Sequence, residues 1–326
     1  MTDIDKIHDK IFKKTFSDTK NVKAFLQIAL PEPIRKRIEF SKVEIDLSDY
    51  VSNQFKESFS DIVVKTKIRK DSSEEEEREI DADIYILFEH KCSRDAAIFI
   101  QLLRYMYLMW QMDIDENKPL RVIVPIVFYH GEEKWNIPHS FIEQFNVSDE
   151  IKEFLLNYRY VMFDTRHWNF KDESNEELRD NVFLLTALAL MKNAFNEDVD
   201  TIRELFKFWY EKGFTGELEK VLFFLAYICE TSDISQDKLK EVLEESKIEG
   251  GEIMPTLAKR LREEGRIEGE KRGEKRGEKR GEKRGEKKGK LETARELIKR
   301  GVDINIIAEA TGFPREEIEK LAATVH

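Results

Sequence analysis

Three polar residues interrupt otherwise apolar strand-like runs in a pattern suited to phosphate chemistry. Asp61 opens the stretch Asp61-Ile62-Val63-Val64, and Glu89-His90-Lys91 closes the stretch Ile84-Tyr85-Ile86-Leu87-Phe88. Side chains alternate faces along a strand, so Glu89 and Lys91 share a face while His90 points to the other. Hydrolysis of a phosphodiester requires an activated water, charge neutralisation at phosphorus and a stabilised leaving oxygen. Mg2+ held by one or two carboxylates meets much of that requirement, and Mn2+ or Ca2+ are alternatives for the same oxygen donors. Asp61 and Glu89 would supply carboxylate oxygens and His90 its backbone carbonyl. Lys91 would orient or deprotonate the water, or stabilise developing negative charge. The structural alternative is that Asp61 caps a turn and Glu89–Lys91 is a surface ion pair, since an isolated Asp…Glu-x-Lys pattern arises often by chance.

The elements that must position these residues can be read from periodicity. Strand candidates Asp61–Ile68 and Asp83–Lys91 flank the polar run Asp71 to Glu79, which reads as a hairpin connection. Opposing residues of an antiparallel pair have a constant sum, so Asp61 facing Glu89 would centre the hairpin on position 75, inside that run. Ile98–Trp110 is apolar almost all round, which predicts a buried helix. Gln101 and Tyr105, four apart, face one direction on it and offer a second wall to the site. Leu120–Tyr129 is another β-rich run, and Pro125 within it predicts a bulge or an edge position. Two helices are expected between Asp5 and Ile38, with a half-buried strand over Val43–Leu47. Asp149 to about Arg166 is ambiguous. Leu178–Phe195, Thr201–Lys212, Glu217–Cys229 and Gln236–Lys247 read as four helices.

Composition narrows the class. The chain has 326 residues, 40% hydrophobic and 37% charged, with a net charge of −11 that argues against a nonspecific nucleic-acid coat protein. The two cysteines, Cys92 and Cys229, read as free thiols of a reducing compartment. There is no apolar leader and no run of 18 apolar residues, so a soluble, cytoplasmic protein with no membrane partner is expected. The histidines, among them His8, His130, His139 and His167, lack metal-ligand spacing. No Cys/His zinc pattern, phosphate-cradling Gly-rich loop or Gly-x-Ser-x-Gly elbow occurs.

The charge is uneven. Gly265 to Gly289 is a near-perfect Glu-Lys-Arg-Gly repeat holding 11 Lys and Arg against 6 Glu. As a helix it would stack like charges at i, i+4 and place seven glycines at about 1 kcal/mol each relative to alanine. A flexible spacer is therefore expected, with a self-associating helix or a basic arm on DNA as the alternatives. Leu291–Arg300, Asp303–Thr311 and Pro314–Ala322 form a three-helix pattern like a helix-turn-helix module. Glu316, Glu317 and Glu319 near the start of its last helix favour an interaction or packing role over DNA reading.

Taken together, His8-Asp9-Lys10-Ile11-Phe12-Lys13, Ser60-Asp61-Ile62-Val63, Glu89-His90-Lys91, Gln101-Leu102-Leu103-Arg104-Tyr105-Met106 and Pro125-Ile126-Val127-Phe128-Tyr129-His130-Gly131 resemble the Rpn family. These are recombination-promoting nucleases of the PD-(D/E)XK superfamily. The likeness covers nearly the whole chain, and the glycine-spaced repeat and Thr311-Gly312-Phe313 also resemble the ends of its members. It implies an α/β, restriction-endonuclease-like mixed sheet flanked by helices, with an all-α extension and a C-terminal helical tail. Its boundaries here would be a core over 1–170, a helical extension over 171–248, the repeat spacer over 249–290 and the tail over 291–326. It implies a bacterial Mg2+-dependent endodeoxyribonuclease linked to recombination of mobile DNA or to defence. Asp61, Glu89 and Lys91 take the family's catalytic positions and Gln101 that of its helix glutamine. Ser60, not proline, precedes Asp61, and Glu74 to Glu79 form an acidic insert beside the site. The rival readings are a catalytically silent nuclease fold that binds DNA or a partner, and a protein that forms homo-oligomers through its repeat and tail.

Overall fold

Alternating and β-branched runs assemble into one five-stranded sheet. The computed structural model describes residues 3–46, 62–69, 79–89, 97–168, 179–194, 198–248 and 250–325. The strands are β1 (Glu44–Ile45), β2 (Ile62–Arg69), β3 (Glu79–Glu89), β4 (Val122–Tyr129) and β5 (Val161–Asp164), adjacent in chain order. β1, β2 and β3 pair antiparallel, whereas β3, β4 and β5 are parallel. The sheet is thus mixed, and helices make up most of the rest of the described chain.

Two of the strand expectations are corrected by the register. Ile62 pairs with Ile86 and Arg69 with Glu79, a constant sum of 148, so the hairpin is centred on position 74 and not 75. A change of two in the sum leaves the pairing of faces intact, because the side-chain period is two. β4 is an inner strand between β3 and β5, despite Pro125. β5 pairs only with Ile126–Tyr129, however, so Pro125 has a ladder neighbour on the β3 side alone. Locally the proline meets the edge condition that its missing N–H demands.

Each face of the sheet is covered. Helices α1 (Asp3–Phe16) and α2 (Thr19–Ala29) bring Phe12, Phe16 and Phe25 against Phe128 of β4, with centroids 5.4, 5.9 and 5.7 Å away. Phe163 of β5 stacks on Phe128 at 5.4 Å. The other face packs on α3 (Ala97–Asp115), where Val63 and Val127 meet Ile98, Phe99, Leu102, Tyr105 and Met109. α3 is not buried all round: Ile100, Tyr107 and Ile114, seven residues apart, are 58%, 57% and 57% exposed. Its low polarity reflects a wide apolar surface, not complete enclosure.

The helical extension comprises α4 (Val182–Asn193), α5 (Val199–Glu211), α6 (Leu218–Thr231) and α7 (Gln236–Glu245). Trp209 is fully buried at its centre, its indole donating to Thr186 Oγ1 at 2.8 Å. The extension is tied to the sheet by polar groups as well as by packing. The Tyr227 hydroxyl of α6 lies 2.7 Å from His8 Nδ1, and the His8 ring meets His130, just beyond β4, at 4.5 Å. His8, Tyr227 and His130 thus form a buried cluster joining three parts of the fold.

Residues 1–257 and 258–326 are two compact units. The repeat is helical, within α8 (Gly250–Lys299), where a flexible spacer was expected. Ion pairs within the helix offset part of the glycine cost: Arg266 bonds Glu263 and Glu270 at 2.6 and 2.5 Å, and Lys290 bonds Glu286 at 2.8 Å. In the second unit, α9 (Ile304–Thr311), Gly312 and α10 (Arg315–Val325) follow. Gly312, at φ 73°, makes the left-handed turn between them. Ala294, Ile298, Ile307 and Ile318 form their shared core.

A Cβ added at Gly273, Gly277 or Gly281 meets nothing within 4 Å. Replacing all three by alanine should therefore stabilise α8 by about 1 kcal/mol per site, read as higher helicity and a higher midpoint for the tail on heating the full chain. A lower midpoint would show that the glycine column packs against a surface outside the monomer.

Candidate nuclease site at the carboxyl edge of the sheet

The described part of the site lies where the three parallel strands end. Glu89 pairs with Tyr129, and Tyr129 with Asp164, so the last residues of β3, β4 and β5 form one row. Neighbouring strands are roughly 4.8 Å apart, which sets the first and third of these backbones about 10 Å apart. Cross-strand partners share a face. Register position 89 therefore belongs to the face of Val127, the one covered by α3. Gln101, half-buried on the first turns of α3, belongs to the helix that covers that face, and Tyr105 is buried in the same cluster.

Asp61, His90 and Lys91 lie outside the described residues, as does the acidic insert up to residue 78, and β3 is described by its backbone. No described residue of β2 stands opposite Glu89, because the antiparallel ladder runs from Ile62↔Ile86 to Arg69↔Glu79. Among the described residues no group of three His, Cys, Asp or Glu gathers as a metal site. Of the residues expected to hold a cation, only position 89 lies among the described residues, at the end of β3.

Asp164 and Arg166 were missed in the sequence, because β5 spans only four residues. The Asp164 carboxylate accepts from the Arg166 backbone N–H at 3.0 Å and from its Nε at 2.9 Å, and Nη2 closes the fork. His167 Nδ1 is 3.3 Å from the same carboxylate. Burial pushes the Asp164 carboxyl up, but the Arg166 bonds outweigh it and hold it below the usual carboxylate range. The same bonds raise the Arg166 guanidinium, which lies 5.3 Å from the centroid of the Tyr129 ring. Tyr129 is fixed in turn: its hydroxyl donates to Glu133 O at 2.7 Å, and its ring meets Trp135 at 4.9 Å. A Cβ at position 131 would lie 2.7 Å from Tyr129 Cε2, so the glycine of Tyr129-His130-Gly131 makes room for the folded-back ring. That Tyr-His-Gly end was the available signal.

A mixed sheet with an acidic residue closing an inner strand, covered on that face by a glutamine-bearing helix, is consistent with a nuclease-fold core. Residues 6–216 match the family described as "Putative transposase, YhgA-like", and the chain belongs to this family of Rpn and transposase-related nucleases. It is 23% identical over 263 residues to the "Inactive recombination-promoting nuclease-like protein RpnE" of Escherichia coli strain K12, covering 79% of this chain and 82% of that one. It is also 23% identical over 316 residues, 95% of each chain, to that strain's "Recombination-promoting nuclease RpnA". To the "Recombination-promoting nuclease RpnD" of Escherichia coli O157:H7 it is 28% identical over 126 residues, 38% of this chain and 45% of the relative. No solved structure matches. No described helix is long and apolar enough to cross a membrane.

Proposed function

We propose that the protein is a Mg2+-dependent DNA endonuclease with a restriction-endonuclease-like, PD-(D/E)XK core, acting in recombination of mobile DNA or in defence. The observation that carries this reading is the position of Glu89: the last residue of an inner strand, paired with Tyr129 on the face covered by the Gln101 helix. Family membership supports it, as does the resemblance of Ser60-Asp61-Ile62-Val63 and Glu89-His90-Lys91 to the family's motif.

Asp61 and Glu89, with the His90 backbone carbonyl, would hold the cation, for which an all-oxygen donor set is the appropriate chemistry. When bound, Mg2+ supplies charge neutralisation at phosphorus and at the leaving oxygen. Lys91 would orient the attacking water and, as the neutral amine, take its proton, or as the ammonium stabilise the developing negative charge. Gln101 orients that water or the Lys91 ammonium, its amide offering both a donor and an acceptor.

The full-length protein with Mg2+ should nick or cut supercoiled plasmid, and Asp61→Ala or Glu89→Ala should abolish this. Equal cutting by the wild type and both variants would sink the assignment. A second reading, a silent nuclease fold that binds DNA or a partner, is favoured by likeness to a relative named as inactive. Titration calorimetry separates the two: a silent fold shows no Mg2+ or Mn2+ site that depends on both carboxylates.

A further inference from the structure

We propose that Arg166 is the phosphate-binding residue of this site, clamping a DNA phosphate beside the scissile one. The proposal rests on the nuclease reading for the identity of the polyanion, and on the row Glu89, Tyr129, Asp164 for the place. The guanidinium lies over the ring of Tyr129, the direct strand neighbour of Glu89. Nε and Nη2 are engaged by Asp164, and no described residue accepts from Nη1. The side chain is 25% exposed, enough for a solvent-borne anion to reach it.

Three physical features fit this role. Guanidinium recognises phosphate with directed N–H groups and is weakly hydrated, so it gives up water more readily than ammonium. The Asp164 fork and the Tyr129 ring fix its orientation before any ligand arrives, which reduces the ordering cost of binding. Asp164 also engages only Nε and Nη2, so the Nη1 N–H groups have no acceptor among the described residues and remain for a ligand. A purely structural ion pair would not need the aromatic platform of Tyr129.

The test uses full-length protein and a fluorescent duplex, with binding followed by anisotropy in the Glu89→Ala background so that no turnover intervenes. Arg166→Ala and Arg166→Gln should weaken binding about 10- to 100-fold and lower the slope of log K against log salt by about one. Arg166→Lys should keep the slope and lose affinity severalfold, since a point charge replaces the fork. In the Glu89 wild-type background the loss should fall mainly on KM. Folded Arg166→Gln with unchanged affinity and slope overturns the proposal; should Ala and Gln both fail to fold, Arg166→Lys with unchanged affinity does so. If the wild type cuts no plasmid, the nuclease reading fails by itself. The salt slope still decides whether Arg166 holds a phosphate.

Discussion

Glu89→Ala is expected to lower plasmid cleavage by about a thousandfold or more while leaving the thermal midpoint unchanged. The magnitude follows from what the carboxylate would hold. A bound divalent cation is worth several kcal/mol of charge stabilisation in the transition state, and each 1.36 kcal/mol is a factor of ten in rate. The stability side follows from position. Glu89 ends β3, and its backbone pairing with Tyr129 does not depend on the side chain. Glu89→Gln should behave alike in rate, since the amide keeps the volume but not the charge. Measured as single-turnover cleavage of a labelled duplex, retention of a tenth of the wild-type rate would remove Glu89 from the cation site. A matching loss of thermal stability would instead assign it a structural role.

The long strands of the carboxyl edge were legible in the sequence because Ile84–Phe88 and Val122–Tyr129 are continuous apolar, β-rich runs, the first of them closed by Glu89. The α3 run, the four helices of the extension and the helix pair around Gly312 were legible for the same reason: apolar spacing is a local signal. What stayed hidden depended on distance along the chain or on close approach. His8 meets Tyr227 across 219 positions, which no periodicity encodes. β5 has four residues, too few to alternate clearly, and with it went Asp164 and Arg166. The hairpin centre moved from 75 to 74 because the sum of opposing numbers depends on the turn, which composition does not specify. The repeat misled in the opposite direction. Its glycines are unfavourable one by one, but charges at i+3 and i+4 around Arg266 and Lys290 support the helix they interrupt.

Asp113→Ala is expected to destabilise the core by about 3–5 kcal/mol, the usual result of leaving one member of a buried ion pair alone. Asp113 closes α3 with its side chain 2% exposed, and Arg121, entering β4, is 14% exposed. The carboxylate accepts from the Arg121 backbone N–H at 3.0 Å and from its Nε at 2.9 Å, and Nη2 completes the fork. Trp110 closes the loop from the other side, its indole donating to Arg121 O at 3.0 Å. The pair thus sets where α3 ends and β4 begins, and so the register that brings Tyr129 beside Glu89. Burial acts to raise the Asp113 carboxyl, but the Arg121 bonds prevail and hold it below its ordinary value. A group depressed in the folded state contributes stability above its unfolded pKa of about 3.9, and loses it as pH falls through the lower folded value. Urea unfolding should accordingly show a large gap between wild type and Asp113→Ala at pH 7, closing as the pH drops below about 4. Unchanged m-values would place the effect in stability and not in a looser native state. Asp113→Leu with Arg121→Met should recover most of the loss, since a matched apolar pair leaves no charge stranded. A gap that persists undiminished at pH 2 would mean that packing, and not the ion pair, holds this corner.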